Sequence, residues 1–281
     1  MTPGIGIALA AMVCFGAGDL IYKRAAANGV EARHFAMLQG WVFCPAVTLY
    51  AWLTGTLHPH LSALWGSLAG LFLLIAVRNF LASLKTGAVS TNAAIFRLNF
   101  TITAALAIVL LGETVTAFKL SALACALAAV WLLLSDPARG KGQNFRSLAQ
   151  VLIATVAMAL TSFFHKVGLQ HGALPETLVS AQAWTFTALA TVIALGGDRG
   201  YKVPPLAWRY APFAAIALVV AFVLLLDGLA RGPASVLVPV AQMSFVFTAI
   251  AGAVMFNERL DTRKRVGLAV AVAALALFAV S

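Results

Sequence analysis

An apolar segment at residues 87–113 recurs at residues 232–258, and this repeat constrains the fold more than any other feature of the sequence. Each copy is longer than the roughly 20 residues that a helix needs to cross the hydrocarbon core of a bilayer. A shift of 145 positions superposes identical residues at seven places. These pairs are Gly87 and Gly232, Ser90 and Ser235, Phe100 and Phe245, Thr103 and Thr248, Ala104 and Ala249, Val109 and Val254, and Glu113 and Glu258. The sequence therefore predicts a membrane helix that occurs once in each half of the chain.

The rest of the chain is also apolar. Of its 281 residues, 62% are hydrophobic and 10% are charged, whereas a soluble domain is about 45–50% apolar and about 25% charged. The apolar runs predict ten spans, at residues 4–22, 34–55, 62–84, 90–111, 116–134, 147–165, 175–196, 209–230, 234–256 and 264–281. We therefore expect an all-α integral membrane protein with ten transmembrane helices in the lipid bilayer.

The repeat extends through both halves. With an offset of 143, Gln39 matches Gln182 and Trp41 matches Trp184. Residues 1–134 and 147–281 thus form two five-helix repeats, joined by a polar linker at 135–146. Because five is odd, the second repeat must enter the membrane upside down. This inverted-topology plan is typical of secondary transporters, which bind substrate near the midplane between the repeats.

The basic residues lie mainly between the spans. A net charge of +10 would suggest nucleic acid in a soluble protein, but no stretch here is long enough for a nucleic-acid-binding module, so we expect no such partner. Fourteen of the 19 Lys and Arg residues lie in odd-numbered connections and three in even-numbered ones. The positive-inside rule then places the odd connections in the cytoplasm and both termini outside.

Enzyme and metal motifs are missing from the sequence. It contains no HExxH, GxSxG or P-loop pattern. Cys14, Cys44 and Cys125 lie in separate apolar runs, without the spacing of a metal or disulfide framework. We therefore expect no enzyme, no catalytic residue, no cofactor and no metal.

Four polar residues lie deep inside spans three and four. Arg78 and Asn79 lie in span three, and Arg97 and Asn99 lie in span four. A charge at the bilayer centre costs at least about 2.5–3.5 kcal/mol, so such residues face a protein interior or a wet cavity. Each arginine either bonds backbone carbonyls or an acid, such as Asp19 or Asp227, or holds a substrate carboxylate or phosphate.

The repeat favours a binding role for Arg97. Its equivalent position, 145 residues later, is Gln242. Polar residues at equivalent positions of spans four and nine would both approach the pseudo-two-fold axis between the repeats. Asn92, Phe96, Asn99 and Thr103 also form a stripe along span four. That stripe predicts either a cavity wall or a hydrogen-bonded contact between helices.

Aromatic and amide side chains near these positions complete the list of candidates. Trp41 and Trp184 either anchor their spans at the membrane interface or stack on substrate. His165 is either structural or a titrating group of the site. Gln39 and Gln182 either bridge helices, which is the commoner role of buried glutamines, or bind a ligand. Other aromatic candidates for the site are Phe100 and Phe245.

Taken together, these features resemble a known family. Ten spans, two inverted five-helix copies, and a Gly112-Glu113 or Asn257-Glu258 pair that ends the fourth helix of each copy are similar to EamA-type exporters of the drug/metabolite transporter superfamily. Within that family, the chain most resembles the YddG-type amino acid exporters. The resemblance implies efflux of aromatic and other neutral amino acids from the cell, across its inner membrane.

The resemblance also implies a site and leaves alternatives open. It implies a central cavity formed by helices three, four, eight and nine, with one and six, in a chain that we expect to be a monomer. Arg78, Asn79, Arg97, Asn99, Asp227 and Gln242 lie in the first four of those spans. The family's habit of cytoplasmic termini is opposite to the loop charges. A proton-coupled exporter of organic cations, an exchanger of phosphorylated metabolites and a scaffold without transport are the competing hypotheses.

Overall fold

The computed structural model of the protein describes residues 4–30, 32–58, 60–86, 92, 95–134, 145–195, 205–255 and 262–280. Within these ranges all regular structure is helical. A short 3-10 turn at Leu61–Ala63 precedes the third helix. The α-helices, in chain order, are α1 (Ile5–Ala27), α2 (Ala32–Leu53), α3 (Leu64–Thr86), α4 (Asn99–Leu111), α5 (Ala117–Leu134), α6 (Phe145–Gln170), α7 (Pro175–Leu195), α8 (Pro205–Arg231), α9 (Ala234–Gln242), α10 (Ser244–Met255) and α11 (Thr262–Val280).

The prediction of an all-α membrane protein is confirmed. Five described segments are long and apolar enough to cross a membrane, namely Ile5–Tyr22, His34–Leu53, Leu61–Phe80, Phe145–Gln170 and Pro205–Arg231. Shorter apolar helices occur at Ile95–Leu111, Ala117–Leu132 and Ala234–Phe247. The number of ten spans stays a prediction.

The helices of spans one and six continue five residues beyond the predicted ends of those spans, residues 22 and 165, although the apolar membrane-crossing segment of α1, Ile5–Tyr22, ends where the sequence predicts. α1 continues to Ala27 and α6 to Gln170, because polar residues end an apolar run without ending a helix. Both helices stop at a glycine with left-handed backbone, Gly29 (φ 79°) and Gly172 (φ 82°). These two glycines are 143 positions apart, so the repeat extends to the helix ends.

Helices of the first half pack on helices of the second half in related pairs. α1 packs on α8 just as α6 packs on α3, and α4 packs on α6 just as α9 and α10 pack on α1. The pairs α2 with α7, α5 with α11, and α4 with α9 join equivalent helices directly. The two halves therefore pack closely against each other, and the fourth and ninth spans meet between them.

Two glycines on α3 allow an especially close contact with α7. A Cβ atom at Gly66 would lie 2.4 Å from the carbonyl oxygen of Leu178, and one at Gly70 would lie 2.5 Å from that of Gln182. Small residues let membrane helices bring their backbones together in this way. Residues 66–70 therefore serve packing within the chain.

Spans four and nine are both interrupted at equivalent positions. The turn at Leu98 precedes α4, and Met243 separates α9 from α10; these positions are 145 residues apart. Three residues after each break an N–H bonds the carbonyl of the break residue: Thr101 N bonds Leu98 O at 3.0 Å, and Val246 N bonds Met243 O at 2.9 Å. Because an α-helix would use the carbonyl four residues back, the carbonyl of Gln242 is left for another donor.

Candidate functional site

A polar cluster surrounds the two helix breaks. Arg97, at the break in span four, donates from Nη2 to Asp19 Oδ2 on α1 at 3.1 Å. From Nη1 it reaches Gln242 O at 3.3 Å, Gln242 Oε1 at 3.4 Å and Ser244 Oγ at 3.3 Å. Ser244 in turn donates to Asp19 Oδ2 at 3.0 Å. We call these four residues, Asp19, Arg97, Gln242 and Ser244, the ion-pair cluster.

The break in span nine explains how this cluster forms. Arg97 takes the Gln242 carbonyl oxygen that the interrupted helix does not use. Ser244, the first residue of α10, presents its hydroxyl beside Asp19. Backbone away from regular helix is tolerated at membrane depth where protein or a cavity satisfies its polar groups. The cluster supplies those partners.

The ion pair of the cluster is only partly buried. The side chain of Arg97 is 20% exposed and that of Asp19 is 36% exposed, whereas Gln242 and Ser244 are buried. The Arg97 guanidinium also lies 6.0 Å from the centre of the Phe245 ring. Because the pair is shielded by protein yet still accessible, a charged ligand can replace either residue as the partner of the other.

An aromatic group lies next to the cluster. Phe15, one turn before Asp19 on α1, makes an edge contact with Phe222 of α8, their ring centres 5.2 Å apart. Phe43 of α2 and His165 of α6 meet the same ring at 5.9 and 6.3 Å. Rings from three helices therefore surround Phe222 of α8 and form an apolar surface beside the ion pair.

Buried His165 lies beside Gln182 of α7. The two side chains lie within hydrogen-bonding reach of each other and join α6 to α7. In the equivalent pair of the first repeat, the Tyr22 hydroxyl donates a hydrogen bond to Gln39 Oε1.

The structure thus brings together Arg97, Gln242 and Phe245 from the residues that the sequence singled out. Asn99 and Phe100 follow the break in span four and are fully buried. The Asn99 amide donates to Phe96 O at 2.7 Å, and its Oδ1 has no partner among the described residues. These two residues lie beside the cluster in sequence, without a hydrogen bond to it in the described part of the chain.

Other predicted residues lie outside the cluster. Arg78 is exposed on α3, and Asn79 Nδ2 donates to Ile75 O of its own helix at 2.8 Å. Asp227 binds Arg231, four residues later on α8, at 2.9 Å. Of the two acids considered as partners for a buried arginine, Asp19 is the one that meets Arg97.

The two matched tryptophans are exposed, and each hydrogen-bonds from one to the other of the helices α2 and α7. Trp41 is 48% exposed and donates to Thr191 Oγ1 at 2.9 Å. Trp184 is 60% exposed and donates to Thr48 Oγ1 at 3.2 Å. Thr48 and Thr191 are also 143 positions apart, so the repeat makes this contact twice. Both indoles occupy positions suited to helix anchoring.

The polar stripe of span four makes contacts between helices at two of its positions. Asn92 donates to Ser83 O at 2.8 Å and to Ser147 Oγ at 2.9 Å, which joins span four to α3 and α6. Thr103 donates to Ala159 O of α6 at 3.4 Å. These bonds agree with the alternative of a hydrogen-bonded helix contact.

Sequence reasoning did not identify the partners of Gln39 and Glu113. Tyr22, which bonds Gln39, is equivalent to the candidate His165, and a comparison at the offset of 143 would have singled it out. Glu113 crosses to the other half, where its carboxylate accepts from Ala234 N at 2.7 Å and Ser235 N at 2.9 Å. Gly112, in the left-handed region with φ 67°, ends α4 and turns the chain so that Glu113 reaches this helix start.

The described part of the chain has no grouping of three His, Cys, Asp or Glu side chains that would suit a metal ion. The ion-pair cluster and its neighbours instead present two opposite charges, a hydroxyl, an amide and aromatic rings.

Comparisons with known proteins identify the fold. The model of the EamA-like transporter family matches residues 2–135 and again residues 146–280. A solved crystal structure has a TM-score of 0.82 with this chain at 16% identity, covering 98% of this chain and 95% of the other. At that identity the likeness concerns the fold alone. No curated protein is significantly similar to the chain in sequence.

Proposed function

The chain belongs to the EamA-like transporter family, and we propose that it exports aromatic and other neutral amino acids by alternating access. In this proposal the ion-pair cluster holds the substrate between the two repeats. Transporters of this kind bind at discontinuous helices near the midplane. The matched interruptions at Leu98 and Met243 support such a site.

The observation that carries the proposal is the ion pair between Arg97 and Asp19, 3.1 Å apart and still partly exposed. A zwitterionic amino acid offers the same two charges in the opposite order. Its carboxylate would take the place of Asp19 on Arg97, and its ammonium would take the place of Arg97 on Asp19. Each partly buried charge keeps a partner throughout, which avoids the cost of an unpaired ion in a shielded place.

The neighbours of the ion pair support both ends of such a substrate. Gln242 and Ser244 offer a carbonyl, an amide and a hydroxyl to the charged end. Phe15, Phe222 and Phe245 offer rings to the side chain. Aromatic and long apolar side chains gain most from such a surface, since the free energy of burial grows with apolar area.

The other transport hypotheses fit the cluster less well. An organic cation would bind Asp19 and leave Arg97 without a counter-charge. A phosphorylated metabolite would bind Arg97 and repel Asp19. Either substrate leaves one uncompensated charge in a partly buried place. The zwitterion is therefore the substrate class that we propose.

Several further features are part of the proposal. We propose that the protein acts as a monomer in the cell's inner membrane, with the odd-numbered connections in the cytoplasm. The excess of Lys and Arg in those connections supports this orientation. Net movement out of the cell follows the resemblance to amino acid exporters.

The experiment is uptake of radiolabelled phenylalanine, methionine and threonine into liposomes that contain the purified protein. We expect saturable uptake that excess unlabelled amino acid suppresses. Arg97→Gln should raise the half-saturating concentration about 10- to 100-fold, the range for one charge-assisted bond. Arg209→Gln, which removes an exposed arginine at the start of α8, is the control and should transport normally.

A comparison with Arg78→Gln distinguishes the role of Arg78 from that of Arg97. Because Arg78 lies outside the ion-pair cluster, we expect this variant to keep uptake close to wild type. Wild-type uptake by Arg97→Gln, or loss only in Arg78→Gln, would contradict the proposed site. A folded wild-type protein that moves no amino acid would contradict the substrate class.

A further inference from the structure

A lysine joins the end of α6 to the end of α8. Lys166, near the end of α6, donates from Nζ to Leu229 O at 2.7 Å and to Gly232 O at 2.6 Å. The last carbonyl groups of a helix have no partner within the helix, and a cation at that end also interacts favourably with the helix dipole. Because Lys166 is only partly exposed, protein shields these bonds from water. Lys166 therefore forms a charged bridge between two helices of the second half.

The turn that follows α8 is held from its other side by Glu113. The Glu113 carboxylate accepts from the first two N–H groups of α9 at 2.7 and 2.9 Å, and it attracts the Lys166 ammonium electrostatically. Glu113 follows α4 in the first half of the chain, whereas Lys166 belongs to the second half. A cation and an anion from different halves thus fix the chain at residues 229–235. We call Lys166, Glu113 and residues 229–235 the turn clamp.

The helix contacts near the turn clamp differ from those in the first repeat. α8 contacts α6 and α7, but α3, the equivalent of α8, makes no contact of similar extent with α1 or α2 among the described residues. Inverted repeats place equivalent contacts on opposite sides of the membrane. The difference therefore indicates a conformation that is closed on the side where α6 and α8 end and open on the opposite side.

The exposure of the ion-pair cluster agrees with an opening on that opposite side. α1 begins beside the end of α8, since a Cβ atom at Gly4 would lie 2.8 Å from the carbonyl oxygen of Gly228. α1 therefore runs away from the turn clamp, and Asp19 lies in its second half. The side chain of Asp19 is 36% exposed. These positions indicate that a substrate reaches the cluster from the side away from the turn clamp.

From these observations we infer that the turn clamp holds one side of the transporter closed while the ion-pair cluster is open to the other side. The inference rests on the proposed function, because it assigns residues to one step of alternating access. To open the closed side, α8 must move away from α6, and the Lys166 ammonium must leave both carbonyl oxygens. A charge that loses its partners in a shielded place is costly. The bridge from Lys166 therefore favours the closed conformation, and its removal shifts the population toward opening on that side.

The test measures the distance between α6 and α8 in the purified protein by double electron–electron resonance. Spin labels are attached at Gln170→Cys, the last residue of α6, and at Ala230→Cys, near the end of α8, which are both exposed positions. The background lacks the three native cysteines. With Lys166 present we expect mainly the short distance of the closed conformation. Lys166→Met should raise the ratio of long-distance to short-distance molecules about tenfold or more, the factor that corresponds to the loss of one charge-assisted hydrogen bond.

Lys119→Met is the matched control. Lys119 Nζ also donates to a backbone carbonyl oxygen, that of Thr114, at 2.7 Å, but this bond lies within one short segment of the chain. Because the control leaves the bridge between α6 and α8 intact, its distances should match those of the protein with Lys166 and Lys119. Lys166→Gln keeps a donor without the charge and should give an intermediate ratio. It makes the same test if Lys166→Met does not fold.

The outcomes distinguish this inference from the proposed function. An unchanged distance distribution in the Lys166 variants overturns the inference, and so does an equal increase in Lys119→Met. Either result leaves amino acid transport standing, because uptake into liposomes is measured separately. Conversely, absence of amino acid uptake by folded wild-type protein defeats the proposed function, while the distances still show whether Lys166 holds the two helices together.

Discussion

Glu113 provides a link between the two halves whose strength follows from its geometry. Its carboxylate binds Ala234 N at 2.7 Å and Ser235 N at 2.9 Å, the first N–H groups of α9. These donors have no partner within the helix, and a negative charge there also interacts favourably with the helix dipole. Charge-assisted hydrogen bonds contribute about 1.5–3 kcal/mol each. Because Glu113 is partly exposed, the lower figure applies, which amounts to about 3 kcal/mol for the two bonds.

Glu113→Ala should therefore destabilise the protein by about 3 kcal/mol, since it leaves two N–H groups unpaired. Glu113→Gln keeps one acceptor but loses the charge, and should cost about 2 kcal/mol. Thermal unfolding of the purified protein in detergent measures both effects. At roughly 2–4 °C per kcal/mol, the expected decrease in Tm is about 6–12 °C for the alanine variant.

Glu176→Ala is the matched control for this experiment. Glu176 lies in the first turn of α7, and the structure gives it no side-chain hydrogen bond within the described residues. Its loss removes only an interaction with the helix dipole, about 0.3–1 kcal/mol. If Glu113→Ala lowers the Tm no more than Glu176→Ala does, the two N–H bonds do not stabilise the protein and the argument is wrong.

Two further predictions concern contacts between helices. Gly70→Val should lower the Tm and the yield of monodisperse protein in gel filtration, since its Cβ would lie 2.5 Å from the Gln182 carbonyl oxygen and overpacking costs about 1–3 kcal/mol or more. Gly6→Val, at a position with no atom within 4 Å of the new Cβ, is its control, and an equal effect would contradict the close contact. Asn92→Leu should cost about 2 kcal/mol in thermal unfolding because it removes two hydrogen bonds between helices. Asn79→Leu should cost less, because among the described residues the Asn79 amide bonds its own helix. The reverse order would show that the Asn92 bonds do not hold these helices together.

Part of the candidate site followed from the repeat. The match of Arg97 with Gln242 predicted that both side chains approach one axis, and in the structure Arg97 Nη1 reaches both the backbone and the side chain of Gln242. The choice of acid did not follow, since Asp19 and Asp227 were equally plausible partners. Asp227 binds Arg231 one turn away, and the packing of α1 and of span four against span nine brings Asp19 to Arg97.

The helix breaks show a similar limit. Pro45 lies inside the unbroken helix α2, whereas span four is interrupted at Leu98, where the sequence has neither proline nor glycine. Proline weakens a helix locally, but neighbouring helices decide whether the freed groups find partners. At these breaks the partners come from across the molecule, as when Arg97 binds the carbonyl of Gln242, 145 positions later. The residues around Leu98 therefore do not by themselves predict the break.

The sequence by itself determined that the protein is helical, lies in a membrane and is built as two related halves. Those properties depend on apolar content and on residue spacing, both of which are local or periodic. The tertiary structure decided which charges meet, where the helices break, and which side chains pair between helices, as Tyr22 does with Gln39. Those properties depend on distances between helices far apart in the chain, and packing alone sets these distances.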